Sequence, residues 1–158
     1  MKKLFISIVS FVFAISSITA VSVNVTGSVT PGLEISIVAE PIASNLDLTT
    51  STTIKIATVT EISNIKLFKV SIGSTLGSLT GNISGATQSY NLSYYLIGTT
   101  TGITITVTNE FQEVFISPNA KTHPAGDDKD LFISYTIVPG VLPADTYEDS
   151  IVIRIEAQ

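Results

Sequence analysis

The sequence predicts an all-β protein, built as an antiparallel sandwich or barrel. Ser, Thr, Val, Ile and Gly dominate it, while Ala, Leu, Glu and Lys, the strong helix formers, are sparse. Short runs alternate apolar and polar residues and are separated by turn-forming clusters of Gly, Pro, Asn and Asp. Beyond residue 20 no window shows an apolar stripe at i, i+3, i+4, i+7.

The first element is not part of the fold. Lys2 and Lys3 form a positive region, Leu4 to Ile18 an apolar one, and Thr19-Ala20 supplies a small residue before a cut, which together read as a secretory signal peptide over residues 1–20. A membrane anchor needs about twenty apolar residues; this run is shorter and holds Ser7, Ser10, Ser16 and Ser17. Cleavage after Ala20 leaves 138 of the 158 residues, which suits one domain. Loss of Lys2 and Lys3 leaves six basic residues against thirteen acidic ones, a net charge of −7. That balance argues against nucleic acid and anionic lipid surfaces. With no cysteine, the chain has no disulfide, thiolate metal site, cysteine nucleophile or lipoprotein anchor.

The mature chain opens on "VSVNVTGSVTPG" (21–32), a strand in two-residue alternation closed by a Pro-Gly turn. Val21, Val23, Val25, Gly27 and Val29 share one face; Ser22, Asn24, Thr26, Ser28 and Thr30 share the other. Then follow "LEISIV" (33–38), "TIKIATV" (53–59), "IKLFKVSI" (65–72), "YNLSYYL" (90–96), "ITITV" (103–107), "FQEVFI" (111–116), "LFISYTIV" (131–138) and "YEDSIVIRI" (147–155). Nine strands are expected in all. Segments 73–88, rich in Gly, Ser and Thr, and 117–130, with two prolines and a charge cluster, read as surface loops, and "PGVLPAD" (139–145) as a turn.

Candidates for chemistry are few. His123 with Asp127, Asp128 and Asp130 offers a weak calcium site, but the run lacks the alternating acids and closing Glu of an EF-hand loop. Glu110 and Glu113 sit too close in sequence to read as a glycosidase pair facing across a cleft. No nucleophile elbow or phosphate loop is present, so no enzyme and no cofactor are expected. Tyr90, Tyr94 and Tyr95 could form a sugar-stacking platform, though strand tyrosines more often pack. "LPADT" (142–146) lacks the Thr-Gly pair of a sortase signal.

An alternating strand thus begins the mature chain and another ends it; in an ordinary sandwich both would pair within the molecule. The residues themselves resemble a family. "VNVTGSVTPGLEIS", with Ser28-Val29-Thr30-Pro31, and the closing "DKDLFISYTIVPGVLPADTYEDSIVIRIEAQ" are similar to the two ends of the alpha-class chaperone–usher fimbrial major subunits, the colonisation-factor pilins. More distantly they resemble spore-coat-U-like archaic pilins. Asp145 stands where those proteins carry Gly.

The resemblance implies an immunoglobulin-like antiparallel β-sandwich that lacks its last strand. It implies a donor-strand extension at 21–31, with donor residues Val21, Val23, Val25, Gly27 and Val29, and a sandwich domain at 32–158. The acceptor groove would be edged by Leu33, Ile35 and Ile37 on one side and Ile151, Ile153 and Ile155 on the other. Implied partners are further copies of the chain in a head-to-tail polymer, a periplasmic chaperone, an outer-membrane usher and a host or surface receptor. The implied location is an extracellular fimbrium. Two other readings stand beside it: a self-contained secreted sandwich that binds a carbohydrate or protein ligand, and a small outer-membrane β-barrel, which the missing aromatic girdles disfavour.

Overall fold

The computed structural model describes Thr26, residues 28–116, Thr122 and residues 125–158. Among these, eleven strands form and no α-helix: β1 (Leu33–Ala39), β2 (Thr52–Ser63), β3 (Phe68–Ser74), β4 (Leu79–Gly81), β5 (Thr87–Gln88), β6 (Asn91–Leu96), β7 (Gly102–Thr106), β8 (Gln112–Ile116), β9 (Asp127–Tyr135), β10 (Tyr147–Glu148) and β11 (Ile151–Ala157). A single 3-10 turn, Pro41–Ser44, follows β1. The strands make a five-stranded sheet in the order β1-β2-β9-β6-β7, a three-stranded sheet β11-β3-β8 and a small sheet β10-β4-β5. Every pairing is antiparallel and none closes a barrel. The fold is an immunoglobulin-like β-sandwich.

Alternation builds the core. Val59, Leu92, Tyr94, Leu131 and Ile133 of the large sheet face Phe68, Val70 and Ile72 of β3, and all are buried. β2 carries a bulge between Lys55 and Ala57, so Ile56 and Ala57 are both buried and the strand's inward face changes parity there. Past that point Ala57, Val59, Glu61 and Ser63 point inward.

Two expected loops, one expected strand and one expected turn come out otherwise. Segment 73–88 folds into β4 and β5, and Leu79 is buried in the core. Within 117–130, Asp127 to Asp130 begin the long central strand β9. The expected strand over 147–155 breaks at Asp149–Ser150, where the chain passes from the small sheet to the edge of the second sheet. The Pro-Gly turn is also absent: Thr30 to Gly32 runs on without one, and Gly32 lacks the positive φ that a type II turn needs at that place.

Candidate functional site

Two edges of the sandwich lie side by side. Among the described residues β1 is hydrogen-bonded only to β2 and β11 only to β3, and their Cα atoms come within 8 Å of each other without pairing. The segment after β1 and the one before β11 line a common cleft of 1030 Å³ that includes Leu46, Leu48, Leu79, Leu142 and Tyr147. The two edges therefore run in opposite directions, and a strand laid between them is parallel to one and antiparallel to the other.

On β1, Leu33 and Ile35 are half-buried against the core and Ile37 is exposed. Ile151, Ile153 and Ile155 of β11 are half-buried, lying opposite Ser74, Ile72 and Val70. All six proposed groove residues thus stand on the two neighbouring unpaired edges. Of the proposed donor residues, Val21, Val23, Val25 and Gly27 lie outside the described residues. Val29 is 84% exposed.

Beneath β1 sits a charged group that periodicity missed. Glu61, directly across from Ile35, is 0% exposed. The Tyr94 hydroxyl donates to its Oε1 at 2.7 Å, while Oε2 has no hydrogen-bond partner among the described residues. Burial pushes the Glu61 carboxyl above its ordinary value, against the pull of the Tyr94 hydroxyl and the Lys129 charge, and Asp127 adds to the push. Lys129, also buried, lays its ammonium over the Phe115 ring, 4.8 Å from the centroid. The sequence signal for Glu61 is the adjacent pair Ile56-Ala57, which marks the bulge.

The start of β11 is pinned by Asp149. Its Oδ2 accepts hydrogen bonds from Ser74 Oγ at 2.6 Å and from the Tyr90 hydroxyl at 2.9 Å; its Oδ1 accepts from the Leu76 and Ser150 N–H groups. Asp145 caps the β4–β5 turn. Its Oδ2 accepts from the Ile83 and Ser84 N–H groups and from Ser84 Oγ. Those bonds, led by the Ser84 N–H, hold its carboxyl down to about 2.

The other candidates separate. Asp127 points to the opposite face of β9 from Asp128 and Asp130. Asp128 accepts from the Thr60 hydroxyl at 2.6 Å, and Asp130 is paired with Lys55 at 2.8 Å and with the Gly98 N–H. Burial alone would raise the Asp130 carboxyl, but Lys55 and Gly98 outweigh it and hold it below its usual range. The aspartates are therefore strand residues with separate partners and do not converge on a cation; His123 lies outside the described residues. Tyr90 and Tyr94 are each 3% exposed with bonded hydroxyls, so they form no stacking platform; Tyr95 instead packs on Phe132 with ring centroids 5.8 Å apart. Glu110 is exposed in the β7–β8 connection and Glu113 is exposed on β8.

Fold and geometry together define an immunoglobulin-like sandwich with two apolar edges on one flank that are unpaired among the described residues. No protein-family model and no curated protein matches the chain. Among solved structures it is similar to the CsuC–CsuE chaperone–tip adhesion subunit pre-assembly complex from the archaic chaperone–usher Csu pili of Acinetobacter baumannii, with a TM-score of 0.45 and 14% sequence identity. The match covers 78% of this chain and 40% of that one. No helix among the described residues is long and apolar enough to cross a membrane.

Proposed function

We propose that the chain is a structural subunit of a surface filament, exported through the periplasm and polymerised head to tail by donor-strand exchange. The observation that carries the proposal is the pair of unpaired edges β1 and β11, lined on their inner faces by half-buried Leu and Ile. The proposed occupant is the segment Val21 to Val29 of the next copy. Nine extended residues reach about 30 Å, enough to run the length of a seven-residue edge of about 23 Å.

A strand bonded to both edges needs them about 9.6 Å apart. At their nearest they lie within 8 Å, so insertion must lever β1 and β11 apart. Four valines buried at about 1.5–3 kcal/mol each offer about 6–12 kcal/mol as an upper bound. Main-chain bonds along the strand add affinity, while the alternating side chains set register, because a slip of one residue presents the polar face. Gly27 interrupts the valine row and would take a shallow place in the groove. A contact that does not close on itself propagates as a fibre. Until exchange, such edges would aggregate, and for this the proposal assigns a periplasmic chaperone and an outer-membrane usher as partners. The role is mechanical and surface-adhesive, without catalysis.

The test compares the exported chain with a form lacking residues 21–30 on unheated denaturing gels. A ladder of multimers from the first and none from the second is expected. A wild-type chain that stays monomeric, with the arm paired inside its own sandwich, would refute the proposal.

A further inference from the structure

We infer that Asn64 is a positioning residue that aims the N-terminal arm away from its own groove, so that strand donation takes place between copies instead of within one; this rests on the filament reading above. The β1–β2 ladder ends at Leu33 opposite Ser63, where β2 turns away. Asn64 then supplies one more rung with its side chain. Its Nδ2 donates to the Thr30 carbonyl at 2.8 Å, its Oδ1 accepts from the Gly32 N–H at 2.8 Å, and its own backbone N–H donates to the Gly32 carbonyl at 3.2 Å. Between Thr30 and Gly32 stands Pro31, which has no N–H to offer. A side-chain amide takes the place of a partner-strand peptide and holds both flanks of the proline in line with β1.

Held this way, Thr30 to Gly32 continue the line of β1 beside Asn64. Thr26, Ser28, Val29 and Thr30 are all exposed. To lie in its own groove the arm would have to reverse and run back beside β1, and the reversal that keeps most of the valine row in the groove falls within Thr30 to Gly32. That reversal breaks the Asn64 rung. With Pro at the second position it would also have to be a type I or II turn, whose twist splays a hairpin. The proline and the amide therefore act together: one disfavours the reversal, and the other bonds the straight path.

The test recovers three forms of the full chain after export from a bacterial host: wild type, Asn64→Ala, and a chain without residues 21–30. Multimers are counted on unheated denaturing gels, and the monomer fraction of each is melted. Asn64→Ala is expected to raise the ratio of monomer to multimer about tenfold, equivalent to about 1.4 kcal/mol. Its monomer should melt well above the armless form, because its own arm now fills the groove. An Asn64→Ala chain that multimerises like wild type, or whose monomer melts with the armless form, overturns the inference and leaves the filament reading standing. A wild type without multimers overturns the filament reading itself. A second variant, with Gly-Gly inserted after Thr30, lengthens the root of the arm without touching the body of the sandwich. It is expected to shift the ratio the same way, and it decides the question alone if Asn64→Ala does not fold.

Discussion

Asp149→Ala is expected to remove about 3–5 kcal/mol of folding stability, a figure worked from the bonds its carboxylate accepts. Two come from the exposed N–H groups of Leu76 and Ser150, which water can serve after the change. The other two come from hydroxyls inside the sandwich: Tyr90, 3% exposed, and Ser74, 6% exposed. Hydrogen bonds to a charged group contribute about 1.5–3 kcal/mol each, and an orphaned buried hydroxyl carries its own desolvation cost. Ser74 keeps one partner, since its Oγ still accepts from the Gly77 N–H at 2.6 Å, which places the sum toward the lower half of the range. Against a total of about 5–15 kcal/mol the loss is large. It also frees the start of β11, one wall of the proposed groove. Urea unfolding followed by circular dichroism, at a concentration where the chain is monomeric, should show the midpoint falling by about 2 M at unchanged slope. Tyr90→Phe alone should cost about 1.5–3 kcal/mol, and the double variant should cost less than the two singles together, because they share a bond. A loss below about 1 kcal/mol for Asp149→Ala, or strict additivity with Tyr90→Phe, would refute the account.

Other outcomes follow from single groups. Because burial raises the Glu61 carboxyl above its ordinary 4.5, the folded chain holds this proton longer than the unfolded one. That contribution is complete below pH 4.5 and is lost as pH climbs through the folded value. Glu61→Gln, still facing Tyr94, Lys129 and Asp127, should thus gain on wild type as pH rises; a midpoint difference independent of pH would contradict this. Asp145 has the opposite sign: its carboxyl is lowered from 3.8 to about 2, so its contribution is present above pH 3.8 and fades as pH falls toward 2. Asp145→Asn should flatten the acid limb of the stability profile, read by circular dichroism. Gly126→Ala puts a side chain at φ +90° and drives its Cβ into the Thr60 methyl and Ile62. A loss of about 1–3 kcal/mol by urea unfolding is expected.

Eight of the nine expected strands fall on described residues; seven coincide with one strand each and the eighth, 147–155, is split between β10 and β11, because alternation of β-branched and aromatic residues directly reports a pleated surface with one buried face. What escaped depends on contacts remote in sequence. β4 and β5 are three and two residues long, and what holds β4 is its pairing with β10, far along the chain, which no local period encodes. The charged run Asp127 to Asp130 looks like a loop until Lys55 and Phe115 supply its partners. Glu61 read from the parity of Ile54 and Ile56 would face solvent; the bulge turns it inward. Asp149 gave its own hint, an acid on the apolar row of the last strand, at the place where that strand breaks. The six groove residues were legible as two alternating rows, but their adjacency was not, since it depends on which strands end up at the edges of two different sheets.

On the proposed reading the edges suit a partner of strand type. Natural sheets blunt an exposed edge with inward charge, proline, a bulge or brevity. β5 is two residues long, and the β8 edge strand has a bulge in its pairing with β3 between Val70 and Ser71. β1 has neither device: seven residues pair with β2 in unbroken register, with no proline within it and with Ile37 and Val38 exposed. Its inner row is entirely apolar, so a strand with small apolar residues at alternate positions would meet no charge on that side. On the proposed reading, that permissive edge and the straight, amide-held root of the arm are two halves of one device: the first accepts a strand, and the second ensures that the strand comes from another copy.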